Sequence, residues 1–491
     1  MKIKSIVSAV AFAACVGASH AQTTIIELTG ASAFRSAAID SINAAFLAGS
    51  GNNNFTTGFA NTTSSGSAAS FGNSSMQIWR GTFPGIAGTT IIRTSWNGSV
   101  EGVRAVARPG IDSITGDQNN PLYLKESILG ALGTTTGVRF HSDSGGSGPA
   151  ANLLNFERAE SDFAFSDVAQ SATPVSGLSL AGGPVGVVVF TMIANKTWAD
   201  DVKASAFNHT NITAQQFRSM AAQGFVPLSF FTGNASNTAR VYLTGRNDGS
   251  GTRTSYLSET GVGAATPIQQ YVAYDRSSST NIPSIFLVPA GGGFNAQNIA
   301  QTAYRSTVWG NNLDGNGGHV SSSDVRTDLS KTTTSAAVFE FVDLDESGTI
   351  TADEAVETRA AQKLYMISYV TYDDARAARG GNGTFANRTA EILGYNGVRL
   401  DTLATTDNPP ERLSLPAASA DLAKIANGSY TPWNFQQLYY VSTRAGATTV
   451  FNELKTRLND ANVIGRAGIP IGSMNVNRTV DGGTITPGAP L

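Results

Sequence analysis

Short apolar runs, separated by segments rich in Gly, Asn, Ser and Thr, give this chain an alternating pattern of elements. Runs bounded by turn-forming residues predict strands at 23–29, 90–95, 185–193 and 241–244. Longer segments with apolar residues at helical spacing predict helices at 36–48, 100–106, 150–159 and 214–222. Strands that alternate with helices predict an α/β fold with mixed sheets.

Between these elements lie long polar segments, which we predict to be loops. They cover residues 49–75 and the loop-rich stretch at 110–149, and the chain is also expected to turn into a loop at 162–167. The chain has no convincing internal repeat. After Asn475 the sequence is rich in Gly, Pro and Thr, and a tail of this kind is expected to be loosely held.

Composition limits the class of protein. The 491 residues exceed one typical domain, and a hydrophobic fraction of 41% is enough for a substantial core. The formal net charge of −3 gives no basic surface of the kind that nucleic-acid binding requires, so nucleic acid is excluded as an expected partner.

The N-terminus has the features of a secretory signal peptide over residues 1–21. Lys2 and Lys4 precede an apolar stretch at 6–16, and small residues at Ser19 and Ala21 form a cleavage site. Loss of the two lysines takes the net charge from −3 to −5. The sequence therefore predicts a periplasmic or extracellular protein.

Cys15 is the only cysteine and lies inside the predicted signal peptide. A second interpretation treats residues 12–15 as a lipoprotein cleavage box, although the site at Ala21 is better formed. Removal of Cys15 leaves no thiol for catalysis, metal binding or a disulfide. No other stretch is long and apolar enough to span a membrane.

Glycine and hydroxyl residues cluster at three junctions between a predicted strand and a predicted helix, at 29–34, 97–99 and 249–252. Ligands in open α/β sheets bind outside the carboxyl ends of strands, where helix N-termini offer free N–H groups to anions. In the third junction Arg246 can balance the charge of an anion. The alternative for each loop is a glycine-rich turn that only caps a helix.

Four segments resemble the phosphate-binding proteins of bacterial ABC importers, which are type II periplasmic binding proteins. They are LTGASAF at 28–34, WNGSVEGVRAVA at 96–107, SDFAFSDVA at 161–169 and, as the most specific, RNDGSGTRTSYL at 246–257. Weaker matches are LYMISYVTYDDA at 364–375 and NGSYTPWNFQQLYYV at 427–441.

The resemblance implies two lobes joined by a hinge. Lobe I would comprise residues 22–189, with an insertion at about 109–155 that contains the surface loop HSDSGGSG at 141–148. Lobe II would comprise residues 190–430, with a further insertion at about 331–362. Residues 431–491 would return to lobe I and end in the tail.

The resemblance also implies a phosphate site, in which Arg246 pairs with the anion and Asp248 orients Arg246. Asp167 would accept a hydrogen bond from a protonated phosphate, and fully ionised sulfate has no such proton. Ala33-Phe34-Arg35 departs from the family's Thr-Phe-Pro. The expected phosphate-binding residues are Ser32, Ala33, Phe34, Ser99, Asp167, Arg246, Asp248, Ser250, Gly251 and Thr252.

An independent signal for calcium lies in DLDESGTITADE, residues 343–354, which has the spacing of an EF-hand loop. Gly348 supplies the sharp turn, and Phe339, Val342 and Val356 fit flanking helices. The expected ligands are Asp343, Asp345, Ser347, Thr349, Thr351 and Glu354. A single loop of this kind predicts a structural calcium ion, and the alternative is an acidic surface loop.

The leading functional hypothesis is therefore a phosphate receptor that serves ABC permease subunits and is not an enzyme. The alternative is a calcium-stabilised extracellular structural or adhesive protein built on the same fold, because fold does not fix function. A hydrolase is weakly supported, since His141, His209 and His319 form no triad or zinc pattern and Ser250 lacks the spacing of a nucleophile elbow.

Overall fold

The computed structural model describes residues 23–490 apart from several segments. These segments are 52–53, 63–67, 112–117, 140–153, 176–177, 199–208, 276–282, 288–292, 295–315, 320, 331–336, 342–354, 361–362, 380–389 and 406–411. The predicted signal peptide, the loop at 141–148 and the predicted calcium loop at 343–354 lie outside the described residues.

The described residues form 23 strands. In chain order, β1 to β23 are Thr23–Gly30, Thr56–Ala60, Met76–Gly81, Thr89–Ser95, Leu122–Leu124, Thr135–Val138, Phe156–Arg158, Phe163–Ser166, Ala181–Asn195, Asn211–Ile212, Phe225–Pro227, Arg240–Leu243, Tyr271–Asp275, Pro283–Leu287, Gly293–Phe294, Gly318–His319, Ala337–Phe341, Ala355–Ala360, Tyr365–Thr371, Ala390–Tyr395, Trp433–Tyr440, Val476–Asn477 and Thr486–Pro487.

Twelve α-helices accompany the strands in the described part of the chain. In chain order, α1 to α12 are Arg35–Ser50, Ser99–Ala107, Lys196–Trp198, Ala214–Gln223, Ser229–Thr232, Gly251–Glu259, Ser322–Ser330, Tyr372–Ala378, Asp401–Thr405, Ser419–Ala426, Ala447–Leu458 and Ala461–Ile464. The predicted α/β class with mixed sheets is confirmed.

A large mixed sheet of 13 strands runs through the molecule in the order β11-β12-β19-β9-β21-β8-β1-β4-β3-β2-β6, with β20 also on β9 and β10 on β20. Its centre is β9, which has 15 residues and is long enough to serve two sets of partners. Residues 181–189 pair with β21, and residues 190–195 pair with β19 and β20. β9 therefore connects two halves of the sheet.

Each half of the sheet has its own hydrophobic core. One cluster packs α1 and α11 against β1 and β8, and the other surrounds the second part of β9 with β12, β19 and α6. Residues 185–195 of β9 are buried on both faces, and a strand buried in this way needs a continuous apolar sequence such as VGVVVFTMI. The lobe boundaries remain a prediction.

Local sequence signals explain the elements that were predicted correctly. In α4, the Thr213 hydroxyl accepts a hydrogen bond from the N–H of Gln216, whose side chain accepts one from the N–H of Thr213. The helix ends at Gly224, which has a φ of 75° in the left-handed region that glycine adopts without strain.

Several expectations about local structure are wrong. The predicted loops at 49–75 and 110–149 contain the strands β2, β5 and β6. Phe156–Arg158 is a strand that pairs with β5, where a helix was expected, and Phe163–Ser166 is a strand rather than a loop. The residues flanking the predicted calcium loop form paired antiparallel strands β17 and β18 instead of helices. The tail after Asn475 is hydrogen-bonded to the body, since the Ala169 N–H donates to Asp481 Oδ2.

No helix in the described ranges reaches the length and apolar character that a membrane span requires.

Candidate anion-binding site

Four loops meet where the two halves of the sheet approach each other. β4 and β8 both pair with β1 in parallel, so the carboxyl ends of these three strands lie at one edge of the sheet. The fourth loop follows β12 in the other half and leads into α6. This edge is where open α/β sheets bind ligands.

Glycines at the end of β1 and in the loop after β4 allow these two segments to come close together. Gly30 has a φ of +118°, and a side chain there would lie 2.0 Å from the Phe165 carbonyl oxygen. The carbonyl of Gly30 in turn accepts a hydrogen bond from the N–H of Gly98 at 3.0 Å. The ends of β1, β4 and β8 are thereby fixed relative to one another.

The loop after β12 contacts the other half directly. The Gly249 carbonyl accepts a hydrogen bond from the N–H of Val100 at 3.3 Å. A Cβ on Gly251 would lie 2.3 Å from Ser99 Oγ and 3.0 Å from Asp167 Cβ. The start of α6 therefore touches Ser99 and Asp167, and only glycine permits this approach.

Asp167 is the central side chain of the site. It is 2% exposed, and its N–H donates to Ser99 Oγ at 3.2 Å. Among the described residues, Asp167 Oδ1 has no hydrogen-bond partner, and neither has Oγ1 of the buried Thr252. Burial raises the pKa of Asp167 to about 7, against the lowering effects of Arg246 and Ser99.

Arg246 supplies a positive charge to the same region. The residue is 3% exposed, and its guanidinium donates from Nε to the His319 carbonyl at 3.2 Å and from Nη1 to Ser322 Oγ at 3.0 Å. Burial lowers the pKa of Arg246, while the charges of Asp374 and Asp167 raise it. Arginine stays charged in such surroundings because its ordinary pKa lies far above neutral pH.

The segment that holds Arg246 was not predicted as part of the site. His319 Nε2 lies 3.2 Å from Asp328 Oδ2, and the hydroxyl of Thr244 donates to that oxygen at 2.9 Å. A Cβ on Gly318 would lie 2.3 Å from the backbone of Arg246. The Ser-x-x-Asp pattern at 321–324 was the available signal, because it marks a helix start.

The N-terminus of α6 is formed as the glycine-rich motif predicts. Ser250 is the N-cap, and its hydroxyl accepts a hydrogen bond from the N–H of Arg253. Gly251 and Thr252 occupy the first turn, which carries the positive end of the helix dipole. An anion beside Asp167 would therefore also face these N–H groups.

The other predicted site residues are Ser32, Ala33, Phe34 and Asp248. Ser32 and Ala33 are half-buried in a short 3-10 turn, and Phe34 lies in the core with its N–H donating to the Ala31 carbonyl at 3.3 Å. Asp248 is exposed in the loop after β12. Arg35, at the start of α1, interacts with the charge of Asp374. The roles of these side chains toward an anion remain predictions.

The chemistry available at this edge is that of anion binding. The site offers one buried guanidinium, one helix N-terminus, hydroxyls of Ser99 and Thr252, and one carboxylate that can accept a proton. Within the described ranges, no group of three or more His, Cys, Asp or Glu side chains is placed to hold a metal ion.

Comparison with known proteins gives matches among solved structures only. No family model matches the sequence, and no curated protein matches it. A candidate phosphate ABC transporter substrate-binding protein with bound phosphate from Clostridium perfringens is 9% identical, with a TM-score of 0.36, and covers 88% of this chain and 93% of its own.

Two further solved structures are similar. A candidate phosphate-binding protein from Planctomyces limnophilus is 11% identical with a TM-score of 0.34, and covers 90% of this chain and 89% of its own. PstS from Borrelia burgdorferi is 9% identical with a TM-score of 0.31, and covers 89% and 94%. Because these TM-scores and identities are low, a ligand for this protein has to be inferred from the geometry of the site.

Proposed function

We propose that this protein binds inorganic phosphate between the two halves of its sheet, as the solute receptor of an ABC phosphate importer. The observation that carries the proposal is the buried carboxylate of Asp167, whose Oδ1 lacks a partner among the described residues beside Ser99 and the start of α6. A buried acceptor of this kind is costly unless a ligand supplies a donor.

The charges around Asp167 select the kind of anion. Arg246 and the N-terminus of α6 favour negative charge, whereas the carboxylate of Asp167 repels an anion that carries no proton. Inorganic phosphate near neutral pH has at least one P–OH group, which can donate to Asp167. Sulfate has no such group, so its binding places its negative charge against that of the Asp167 carboxylate with no proton between them.

The raised pKa of Asp167 makes this selection depend on pH. Above about pH 7 the carboxylate is ionised and rejects sulfate. Below that value it is mostly protonated and can itself donate to a sulfate oxygen. Since a pKa of about 7 leaves about a tenth of Asp167 protonated at pH 8, sulfate should bind roughly tenfold more tightly at pH 6 than at pH 8.

Calorimetric titration of the mature, phosphate-stripped protein tests the proposal. We expect phosphate to bind with micromolar or tighter affinity, roughly −8 kcal/mol or stronger, at both pH values. Sulfate should give no heat at pH 8 and measurable binding at pH 6. Heat from neither anion would reject phosphate binding, and sulfate binding as tight as phosphate at pH 8 would reject the role of Asp167.

We also propose that calcium binds at residues 343–354, where carboxylate and hydroxyl oxygens have EF-hand spacing. β17 and β18 pair with Phe341 opposite Ala355, so the described residues that flank this segment lie side by side. Asp343, Asp345, Ser347 and Glu354 would hold the ion, with the backbone or side-chain oxygens of Thr349 and Thr351.

Calcium titration provides the test. We expect one ion to bind with a dissociation constant on the order of 0.1–1 mM, and Glu354→Gln to weaken binding because it removes the bidentate ligand. Glu453→Gln, a change on the surface helix α11, is the control. Unchanged affinity in Glu354→Gln would exclude this loop, and calcium-driven self-association without phosphate binding would favour the structural protein instead.

A further inference from the structure

The C-terminal tail contacts both the end of α6 and the loop that follows Asp167. It runs from β22 to β23, and Arg478, Asp481 and Gly482 lie between these strands. Arg478 is 4% exposed, and the backbone of residue 482 lies so close to α6 that a Cβ there would be 2.3 Å from the carbonyl carbon of Ser258. A tail packed this closely is part of the folded body.

Arg478 anchors the tail at the far end of α6. Its Nη1 donates to Glu259 Oε2 at 3.2 Å and to Asn434 Oδ1 at 3.3 Å, and its Nη2 donates to the Thr431 carbonyl at 2.9 Å. The guanidinium carbon also lies 4.2 Å from the centre of the Trp433 ring. Glu259 is the last residue of α6, the helix whose first turn faces Asp167.

Asp481 connects the tail to the other side of the site. Its Oδ2 accepts a hydrogen bond of 2.7 Å from the N–H of Ala169, two residues after Asp167. The next N–H, of Gln170, donates to the hydroxyl of Tyr439 at 3.0 Å. Two acceptors from distant parts of the chain therefore fix the backbone that follows Asp167.

We propose that Asp481 is a positioning residue of the anion site. Asp481 holds the loop of Asp167 in place and adds a second carboxylate near that of Asp167. The inference depends on the proposed phosphate function, because Asp167 selects the anion in that proposal. Asp481 does not need to touch the anion. It acts through the Ala169 N–H and through its charge.

Within the part of the chain that the structure describes, charged and polar groups from four segments face the two carboxylates. Asp167 faces Arg246 from the loop after β12, Ser99 from α2 and Asp481 from the tail. Asp481 faces Arg478 on its own segment and Tyr439 on β21. Arg246 lowers the pKa of Asp167, whereas Asp481 raises it, so removal of the Asp481 charge lowers the pKa of Asp167.

Two variants separate the hydrogen bond from the charge. Asp481→Asn keeps an oxygen that can accept from the Ala169 N–H and removes the charge, whereas Asp481→Ala removes both. Asp460→Asn is the matched control, because Asp460 is an exposed N-cap of α12 and asparagine caps equally well. Phosphate and sulfate affinities are measured by calorimetry from pH 5.5 to 8.5.

We expect Asp481→Asn to keep its phosphate affinity at pH 8.5 and to weaken sulfate binding at pH 7.5, because loss of the Asp481 charge lowers the pKa of Asp167 and so reduces its protonated fraction. Asp481→Ala should also lose phosphate affinity. An unchanged sulfate profile in Asp481→Asn overturns this inference alone. Failure of the wild-type protein to bind either anion overturns the proposed function and this inference with it.

Discussion

Arg246→Ala should weaken phosphate binding by about thirtyfold to several thousandfold. The reason is that Arg246 is buried and, in the proposed site, would supply the positive charge that balances the anion. Truncation of one partner in a buried, hydrogen-bonded charge pair costs about 2–5 kcal/mol, which corresponds to that range of affinities. Calorimetric titration at pH 8 measures the loss.

The fold should survive this substitution. The His319 carbonyl, which accepts from Arg246 Nε, also accepts from the N–H of Asn247 at 3.1 Å, so it keeps a partner. A thermal unfolding scan with phosphate absent separates lost binding from lost folding. Arg246→Lys keeps the charge but loses the planar fork, and its affinity should fall between those of the wild type and the alanine variant.

Arg240→Ala is the matched control for Arg246→Ala. Arg240 lies at the opposite end of β12 and stacks over the Phe225 ring at 4.0 Å, outside the anion site. Its replacement should leave phosphate affinity unchanged. Near-normal phosphate affinity in Arg246→Ala would show that the anion, if it binds, does so elsewhere in the molecule.

Elements with strong local signals were predictable from sequence. β1, β4 and β9 are short or continuous apolar runs, and α2 and α6 begin directly after glycine-containing loops. The predicted meeting of Ser99, Asp167 and Gly251 follows from where these strands end, and the structure brings all three together. Local patterns were sufficient here because each of these three residues lies just after the end of a strand.

Elements whose structure depends on distant pairing were not predictable. Residues 156–158 include Glu and Arg, which favour helices, yet they pair with β5 and bury Phe156 in a small cluster. The strand at 337–341, AVFEF, contains Val and Phe, which favour strands, whereas the EF-hand spacing that follows it predicts a helix. Tertiary pairing outweighs propensity in these short segments.

The contacts that support the site span the whole chain. Ser322 lies 76 positions from Arg246, and Asp481 lies 312 positions from Ala169. A Gly-, Pro- and Thr-rich tail gives no sequence signal for such contacts, because they depend on where the folded body ends. Residues that support the loops of a site without contacting its ligand are therefore the ones that sequence patterns are least able to identify.

Asp167→Asn should convert the site from one that rejects sulfate into one that accepts it. The amide has nearly the shape of the carboxylate, carries no charge, and offers an N–H₂ group that can donate to any sulfate oxygen. About a tenth of Asp167 is already protonated at pH 8, so a residue that is always a neutral donor should raise sulfate affinity at that pH about tenfold, to the level that the wild-type protein reaches at pH 6.

Phosphate binding should change much less in Asp167→Asn, because the amide oxygen still accepts from a P–OH group. We expect a loss of about tenfold, the difference between a charged and a neutral acceptor. Sulfate affinity should also become independent of pH between 6 and 8, since the group that titrates near pH 7 is gone. Calorimetry with both anions at both pH values measures these effects.

Glu160→Gln provides the control for charge removal. Glu160 is an exposed carboxylate that pairs with Arg444 and lies shortly before Asp167 in the chain. It should leave both affinities and the pH profile unchanged. If Asp167→Asn still rejects sulfate at pH 8 while it binds phosphate normally, selection against sulfate comes from other groups. The spacing of hydroxyl and N–H donors around the anion, rather than the proton on Asp167, would then determine specificity.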